Sequence, residues 1–464
     1  MFNMKERKSF YLITITLIAT LGGLLFGYDT AVISGAEKSI YHYLIQSQGL
    51  NEWIHGATVS SALIGCIIGG ILSGWISSRI GRKRALIVAA ILFVITALGS
   101  GNPEFLFFTK GFPGLGVLLM FNVYRIIGGI GIGLASAVCP MYISEIAPAD
   151  IRGRLVSVNQ FAIVFGILVV YFVNWGIARG RSLEWINDSG WRWMFVSGAI
   201  PGILFAILLF FVPETPRFLS LSGKSEKAYN VLKKINSPDR ARQILKEIES
   251  TVERSSGKLW AYGKKVIIIG ILISVFQQFV GINVAMYYAP RIFESMGAAR
   301  DSSMLQSVIM GLVNVIFTIV AILTVDRWGR KPLLIIGSVG MAIGMFAIGI
   351  LAYNNIFGLG TLVFIIIFTA SFMMSWGPIC WVIISEIFPN KIRSKAMAIA
   401  VAAQWAANFL ISSTFPALIE ISTWGTYCLY GVMSLLSLVF VWKMVPETKN
   451  RSLEEMESLW IKKS

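Results

Sequence analysis

Apolar residues run along this chain in twelve long stretches, at approximately 11–34, 56–78, 84–100, 115–140, 154–176, 191–213, 265–290, 303–325, 331–353, 359–385, 394–418 and 425–445. A helix crosses a bilayer in about 20 apolar residues, so each stretch reads as one crossing. The gaps between them alternate in charge. Lys5, Arg7 and Lys8 precede the first run. Arg79, Arg82, Lys83 and Arg84 follow the second, and Arg152 and Arg154 the fourth. The Lys- and Arg-rich segment 214–264 follows the sixth, and Arg327, Arg330 and Lys331 the eighth. Lys391, Arg393 and Lys395 follow the tenth, and Lys449 and Arg451 the twelfth. The intervening gaps are poor in Lys and Arg. Cytoplasmic loops of membrane proteins carry the excess of these residues. The pattern therefore predicts twelve transmembrane helices with both termini cytoplasmic, and one missed helix would invert every later gap.

The longest polar segment, 214–264, has apolar residues at helical spacing, as in Ala228, Val231 and Leu232 and then Ile244, Leu245 and Ile248. It is expected to form short amphipathic helices against the cytoplasmic face. The first run is too long for a cleavable signal peptide and no small-residue cleavage site follows it.

Composition agrees with a bilayer as solvent. Of 464 residues, 56% are hydrophobic and 14% charged, against roughly a quarter charged in soluble domains. The net charge of +16 sits in short clusters at run ends, so no basic domain for nucleic acid is expected. Cys66, Cys139, Cys380 and Cys428 lie in or beside apolar stretches without metal-ligand spacing. His42 and His55 fall near a predicted outer loop with no partner cluster, so neither receives a catalytic or metal role. No catalytic constellation, metal site or cofactor is expected.

The chain repeats itself. Ser-Glu-Ile-Ala-Pro-Ala-Asp-Ile-Arg at 144–152 returns as Ser-Glu-Ile-Phe-Pro-Asn-Lys-Ile-Arg at 385–393. Arg-Ile-Gly-Arg-Lys at 79–83 returns as Arg-Trp-Gly-Arg-Lys at 327–331, and Pro-Glu-Thr occurs at 213–215 and 446–448. Charged motifs matched in order predict two pseudo-symmetric six-helix halves, with a substrate site between them near the midplane. The expected division is 1–213 and 265–445 for the halves, 214–264 for the linker and 446–464 for a cytoplasmic tail.

These motifs, with Pro-Glu-Thr-Pro-Arg (213–217), Gln-Gln-Phe-Val-Gly-Ile-Asn (277–283), Trp-Gly-Pro-Ile-Cys-Trp (376–381) and Pro-Glu-Thr-Lys (446–449), resemble the sugar porters of the major facilitator superfamily over essentially the whole chain. Segments 21–35 and 125–131 are most similar to the D-xylose–proton symporters within that family. The resemblance implies the major facilitator fold in the cell (inner) membrane. It also implies secondary active import of a monosaccharide, D-xylose or a related hexose, with a proton by alternating access. A monomer is expected, with the sugar, the proton and the lipid bilayer as its partners. A passive hexose facilitator is the alternative. A sugar sensor, usually marked by a long signalling tail, is a more distant one.

A sugar needs hydrogen-bonding groups that both donate and accept, which amides provide, and a ring to cover its apolar face. Polar side chains within apolar helices point to function. Gln277 and Tyr288, eleven residues or three helical turns apart, share a face of the seventh helix, with Gln278, Asn283 and Tyr287 nearby and Gly281 and Pro290 able to break it and let it bend during transport. Gln404 and Asn408 share a face of the eleventh. Gln160 and Asn314 add amides, Trp381 and Trp405 add rings with Phe26 opposite, and Gly377 belongs to the tryptophan motif. An alternative use of such amides is to tie helices together, at ~0.6 kcal/mol each. The resemblance places Gln160, Gln277, Gln278, Asn283 and Trp381 at sugar-contacting positions of the family. Ile167, one heptad after Gln160, stands where the family's xylose symporters have glutamine and its glucose carriers isoleucine.

Asp29 and Arg125 lie within apolar runs, where each needs a partner. They are expected to pair and to couple transport to a proton. The resemblance supports this, since the family's proton symporters carry an acid at the Asp29 position and its facilitators generally carry asparagine. Gly198 stands where the xylose symporters have a glutamate, which reduces any relay to Asp29 and Arg125. The repeated Glu145 and Arg152, and Glu386 and Arg393, beside Arg82 and Arg330, imply by resemblance a cytoplasmic gate of salt bridges between the halves. Ser78 departs from the acidic or amide residue usual before Arg79, whereas Asp326 keeps it.

Overall fold

The computed structural model describes residues 4–105, 107, 109, 114–148, 151–251, 263–295, 300–356, 358–389, 392–449 and 460. Twelve helices among them are long and apolar enough to cross a membrane. They are α1 Phe10–Gln48, α2 Glu52–Ile80, α3 Arg82–Gly101, α4 Leu115–Ile146, α5 Leu155–Ala178, α6 Leu183–Leu209, α7 Lys264–Tyr287, α8 Ser302–Val325, α9 Arg330–Tyr353, α10 Gly360–Ile384, α11 Lys395–Ile421 and α12 Thr423–Met444. Large apolar side chains such as Ile200, Leu323, Ile350 and Ile421 are exposed. A bilayer would cover them, and the backbone polar groups beneath are satisfied within each helix.

Packing is the same in both halves. In the first, α1 packs along α5, and α2 and α3 along α4; in the second, α7 packs along α11, and α8 and α9 along α10. The halves meet through α5 against α8 and α2 against α11, two pairs that a two-fold operation would exchange. This is the major facilitator architecture. Without a hydrophobic drive between helices, close packing supplies much of the association. Thus α2 and α4 touch backbone to backbone: a Cβ on Gly129 would lie 1.8 Å from the Ala62 carbonyl oxygen.

Helix is interrupted within several spans, at Ser60 in α2 and Gly198 in α6 as well as in α7 and α10. In α7, regular helix runs over Lys264–Phe279 and Ile282–Tyr287. Gly281 between them has φ +90° and abuts the Tyr430 ring, where a Cβ would come within 2.9 Å. A left-handed residue at such close quarters is natural only for glycine. In α10, Leu359–Met373 gives way to Trp376–Ile387 at Met374 and Ser375.

The linker forms three short helices, Pro216–Leu221, Ser225–Ile235 and Pro238–Thr251. The Thr215 hydroxyl caps the first by accepting from the Phe218 amide. The second buries Ala228, Leu232 and Ile235 and ends on Lys233 and Lys234. The Lys234 ammonium lies 5.6 Å from the Tyr11 ring of α1, at the end of the bundle that bears the basic loops.

Candidate substrate site and ion pairs

A cavity of about 100 Å³ lies between the halves. From the first half, α1 contributes Phe26 and Thr30, and α5 contributes Gln160, Ile163, Val164 and Ile167. From the second, α7 contributes Gln277, Gln278, Ile282, Asn283, Met286 and Tyr287. The two segments of α10 contribute Phe372, Met373, Gly377 and Trp381, and α11 contributes Gln404, Trp405 and Asn408. The helix breaks in α7 and α10 therefore both face this space.

Gln277 is the hub of the polar wall. Its amide nitrogen donates to the carbonyls of Trp376 at 3.1 Å and Gly377 at 3.2 Å. Its amide oxygen accepts from Gln278 at 3.0 Å and from Gln404. The oxygen of Gln278 in turn accepts from Asn283. Asn408 donates to the Tyr287 hydroxyl at 3.2 Å and accepts from the Ser412 hydroxyl at 3.0 Å. Opposite, the Phe26 and Trp405 rings meet across the halves with centroids 5.5 Å apart. Two lining groups, the Gln404 Oε1 acceptor and the Trp405 Nε1 donor, are buried with no protein partner. Buried polar atoms left unpaired cost about 1–3 kcal/mol each, so the wall is arranged for a ligand bearing both donors and acceptors.

Every candidate sugar residue borders this cavity except Tyr288 and Asn314. The shared face expected of Gln277 and Tyr288 does not exist, because the break at Gly281 rotates the residues beyond it. Tyr288 is fully buried and donates instead to the Ser412 carbonyl at 3.1 Å. Asn314 is fully buried outside the lining, with both side-chain polar atoms unpartnered. The sequence reading missed Thr30, Ile163, Val164, Ile282, Met286, Phe372 and Met373. Helical spacing from Phe26 and Gln160 could have found Thr30, Ile163 and Val164. The remaining lining residues are apolar residues in apolar runs and carried no such signal.

One turn from Phe26, Asp29 meets Arg125. A single guanidinium nitrogen donates to both carboxylate oxygens at 3.1 Å, and the other terminal nitrogen reaches the Asp29 carbonyl at 3.3 Å. Arg125 is 1% exposed, and its guanidinium lies 5.4 Å from the Phe195 ring of α6. At Gly198 a Cβ would lie 3.2 Å from the Phe195 carbonyl oxygen and 3.5 Å from the Tyr28 ring, and the Tyr28 hydroxyl is 2.7 Å from that of Ser197. Thr30, adjacent to Asp29 in sequence, places this pair beside the cavity wall.

At the basic face each half holds the same bond set. Arg82 donates to Glu145 at 2.9 Å, and Glu145 accepts from the Thr215 hydroxyl at 2.6 Å. Arg330 donates to Glu386 at 3.0 Å, and Glu386 accepts from the Thr448 hydroxyl at 2.5 Å. Glu214 receives the backbone amides of Arg82 and Lys83, and Glu447 those of Arg330 and Lys331. The expected gate joined the halves. Instead, these described pairs each lie within one half, because each carboxylate reaches the arginine that opens the neighbouring helix. The side chains of Arg152 and Arg393 lie outside the described residues. Ion pairs that do cross between the halves are at the opposite face, where Arg291 meets Glu37 and Glu52 and Lys38 meets Glu294. Among the described residues, no group of three His, Cys, Asp or Glu side chains could hold a metal.

The family model described as "Sugar (and other) transporter" matches residues 15–460. The chain belongs to the sugar transporter family. Among the family's members, the D-xylose–proton symporter of Escherichia coli is 51% identical, over 98% of this chain and 97% of its own. The glucose facilitated diffusion protein of Zymomonas mobilis is 40% identical, over 98% of this chain and 99% of its own. The structure is similar to the inward-open conformation of the xylose transporter from E. coli, with a TM-score of 0.89 at 50% identity, covering 97% of this chain and 100% of that one. These relatives are sugar transporters, and none is an enzyme.

Proposed function

We propose that this protein carries a monosaccharide, D-xylose or a related sugar, across the cell membrane together with a proton, by alternating access. The observation that carries this reading is the cavity between the halves. Its polar wall, organised on Gln277, presents an unpaired acceptor at Gln404 and an unpaired donor at Trp405. A pyranose supplies hydroxyls for both and an apolar face for the Phe26, Trp381 and Trp405 rings. In this reading the basic face is cytoplasmic, residues 1–213 and 265–445 move against each other as the linker 214–264 permits, and the carrier is monomeric. The membrane is the inner membrane of a bacterium. The cross-half ion pairs close the outer mouth, so the sugar site communicates with the inside.

Asp29 carries the proton. Ionised, it forms a neutral pair with Arg125 and ties α1 to α4. Protonated, it frees Arg125 and loosens that tie, so that the loaded carrier reorients without an unpaired carboxylate in a low-dielectric gap. A passive facilitator is the second reading, and one observation favours it: no second carboxylate stands beside the pair where Gly198 lies. Uptake of labelled sugars into proteoliposomes with and without a pH gradient separates the two. Accumulation above equilibrium that needs the gradient supports symport, and equilibration alone supports facilitation.

A further inference from the structure

The outer segment of α7 leaves one backbone acceptor that its own helix cannot serve. Bonds from each amide to the carbonyl four residues back run from Ile282–Tyr287 into the next helix, Ala289–Ser295. The Tyr288 amide donates to the Val284 carbonyl at 3.0 Å, and the Ile292 amide to the Tyr288 carbonyl at 2.9 Å. The amide that this ladder would aim at the Met286 carbonyl belongs to Pro290, which has no N–H to give. That carbonyl is satisfied from the other half instead. The Tyr171 hydroxyl of α5 donates to it at 2.9 Å, in a buried bond.

Both halves place Tyr171 for this. On α5 it follows Gln160 by three helical turns and Ile167 by one, so it continues the face that borders the cavity. It lies on the side of the cavity away from the basic loops. Its ring packs on α8, where a Cβ on Gly311 would come within 3.1 Å of it. The α7 segment that it holds carries Ile282, Asn283, Met286 and Tyr287 of the cavity wall. Tyr171 belongs to the first half and Met286 to the second, so the bond exists only while the outer mouth is shut. In that state the carbonyl is buried and needs a partner. In an open mouth water can take the place of the tyrosine. Removing the hydroxyl therefore penalises the closed state selectively, because an acceptor is costly to leave unpaired only where water cannot reach it.

We propose that Tyr171 is a positioning residue of the substrate site. By donating across the halves to the carbonyl that Pro290 leaves free, it fixes the outer segment of α7 over the cavity when the outer mouth closes. Asn283 and Tyr287 are thereby set in register with Gln160 and Ile167 of the tyrosine's own helix. Proline and tyrosine act as a pair: the one frees the acceptor, and the other uses it to join the halves. The inference rests on the alternating-access reading, but its test requires no sugar.

Spin labels at Ser47→Cys and Ile421→Cys, exposed positions at the outer ends of α1 and α11, report the width of the outer mouth. The full chain with Cys428→Ala is measured in lipid nanodiscs by electron–electron double resonance. The open, longer-distance population should rise several-fold in Tyr171→Phe, which keeps the ring and removes only the hydroxyl. Pro290→Ala supplies the missing helical amide, so in that background Tyr171→Phe should have little effect on the open population. A tyrosine that acts by packing alone would show no dependence on residue 290. No rise in Tyr171→Phe overturns the proposal, whether or not the proline variant folds, and so does an equal rise in both backgrounds. Sugar uptake by the wild type in proteoliposomes is measured separately. Uptake without the rise removes the role of Tyr171 and leaves the transport reading standing, while the rise without uptake does the reverse.

Discussion

Gln277 commits both ends of its amide to protein, so its part in the site is to hold other groups in place. It fixes the carbonyls of Trp376 and Gly377 at the α10 break and orients Gln278 and Gln404. Gln277→Ala should leave the fold intact and weaken sugar binding ~10- to 100-fold, on the scale of about 1–3 kcal/mol for unpaired buried polar groups; calorimetric titration with xylose and glucose checks it. Asp29→Asn mimics the protonated pair. It should abolish accumulation against a gradient while sugar binding and exchange persist, and counterflow beside driven uptake measures the two separately. Amides and charges such as Gln277, Gln404, Asp29 and Arg125 were legible in the sequence because a polar group in an apolar helix is conspicuous. Met286, Phe372 and Met373 were not, since in a membrane protein an apolar residue facing lipid and one facing the cavity read alike.

At the scale of elements, hydropathy located all twelve spans, because lipid leaves the backbone little choice but helix. It failed where tertiary partners decide. The first apolar run stops at 34, yet α1 continues to Gln48, since Glu37 and Lys38 find partners on α2 and the second half. The break in α10 has neither glycine nor proline at Met374–Ser375; the Ser375 hydroxyl donates to the Ser371 carbonyl at 2.6 Å and crowds Gly337. The break in α7 was legible at Gly281, but its consequence for Tyr288 was not. Gly281→Ala must hold a left-handed conformation, at about 1–2 kcal/mol, and press on Tyr430. Thermal melting in detergent should show a clear loss of stability, with transport reduced. The two Pro-Glu-Thr carboxylates should differ. Burial pushes Glu214 above the usual carboxylate range despite the amides of Thr215, Lys83 and Arg82. Burial also acts to raise Glu447, but the backbone amides of Lys449, Arg330, Lys331 and Thr448 outweigh it and hold it low. The stability from Glu447 is thus present above the ordinary glutamate value of about 4.3 and lost as pH falls through its depressed value. At about pH 7, Glu447→Gln should lower the melting temperature more than Glu214→Gln, and the gap should close in acid.

The whole molecule is two similar halves with a cavity between them; Arg291, Glu37, Glu52, Lys38 and Glu294 tie the halves together at the face opposite the basic loops, while at the basic face the described bonds of Glu145 and Glu386 lie within each half. The repeated motifs made the halves legible; which face is closed depends on ion pairs between distant segments, which no local pattern records. Such an arrangement suits a carrier whose halves rock about a fixed site. A membrane potential adds ~2.3 kcal/mol per charge per 100 mV to any pH gradient, sufficient to drive accumulation if a proton moves with each sugar. The most direct test follows proton entry with an internal pH dye in proteoliposomes while xylose is added outside. The account predicts internal acidification on sugar addition, abolished in Asp29→Asn. Sugar entry with no proton movement, or unchanged acidification in Asp29→Asn, would contradict it.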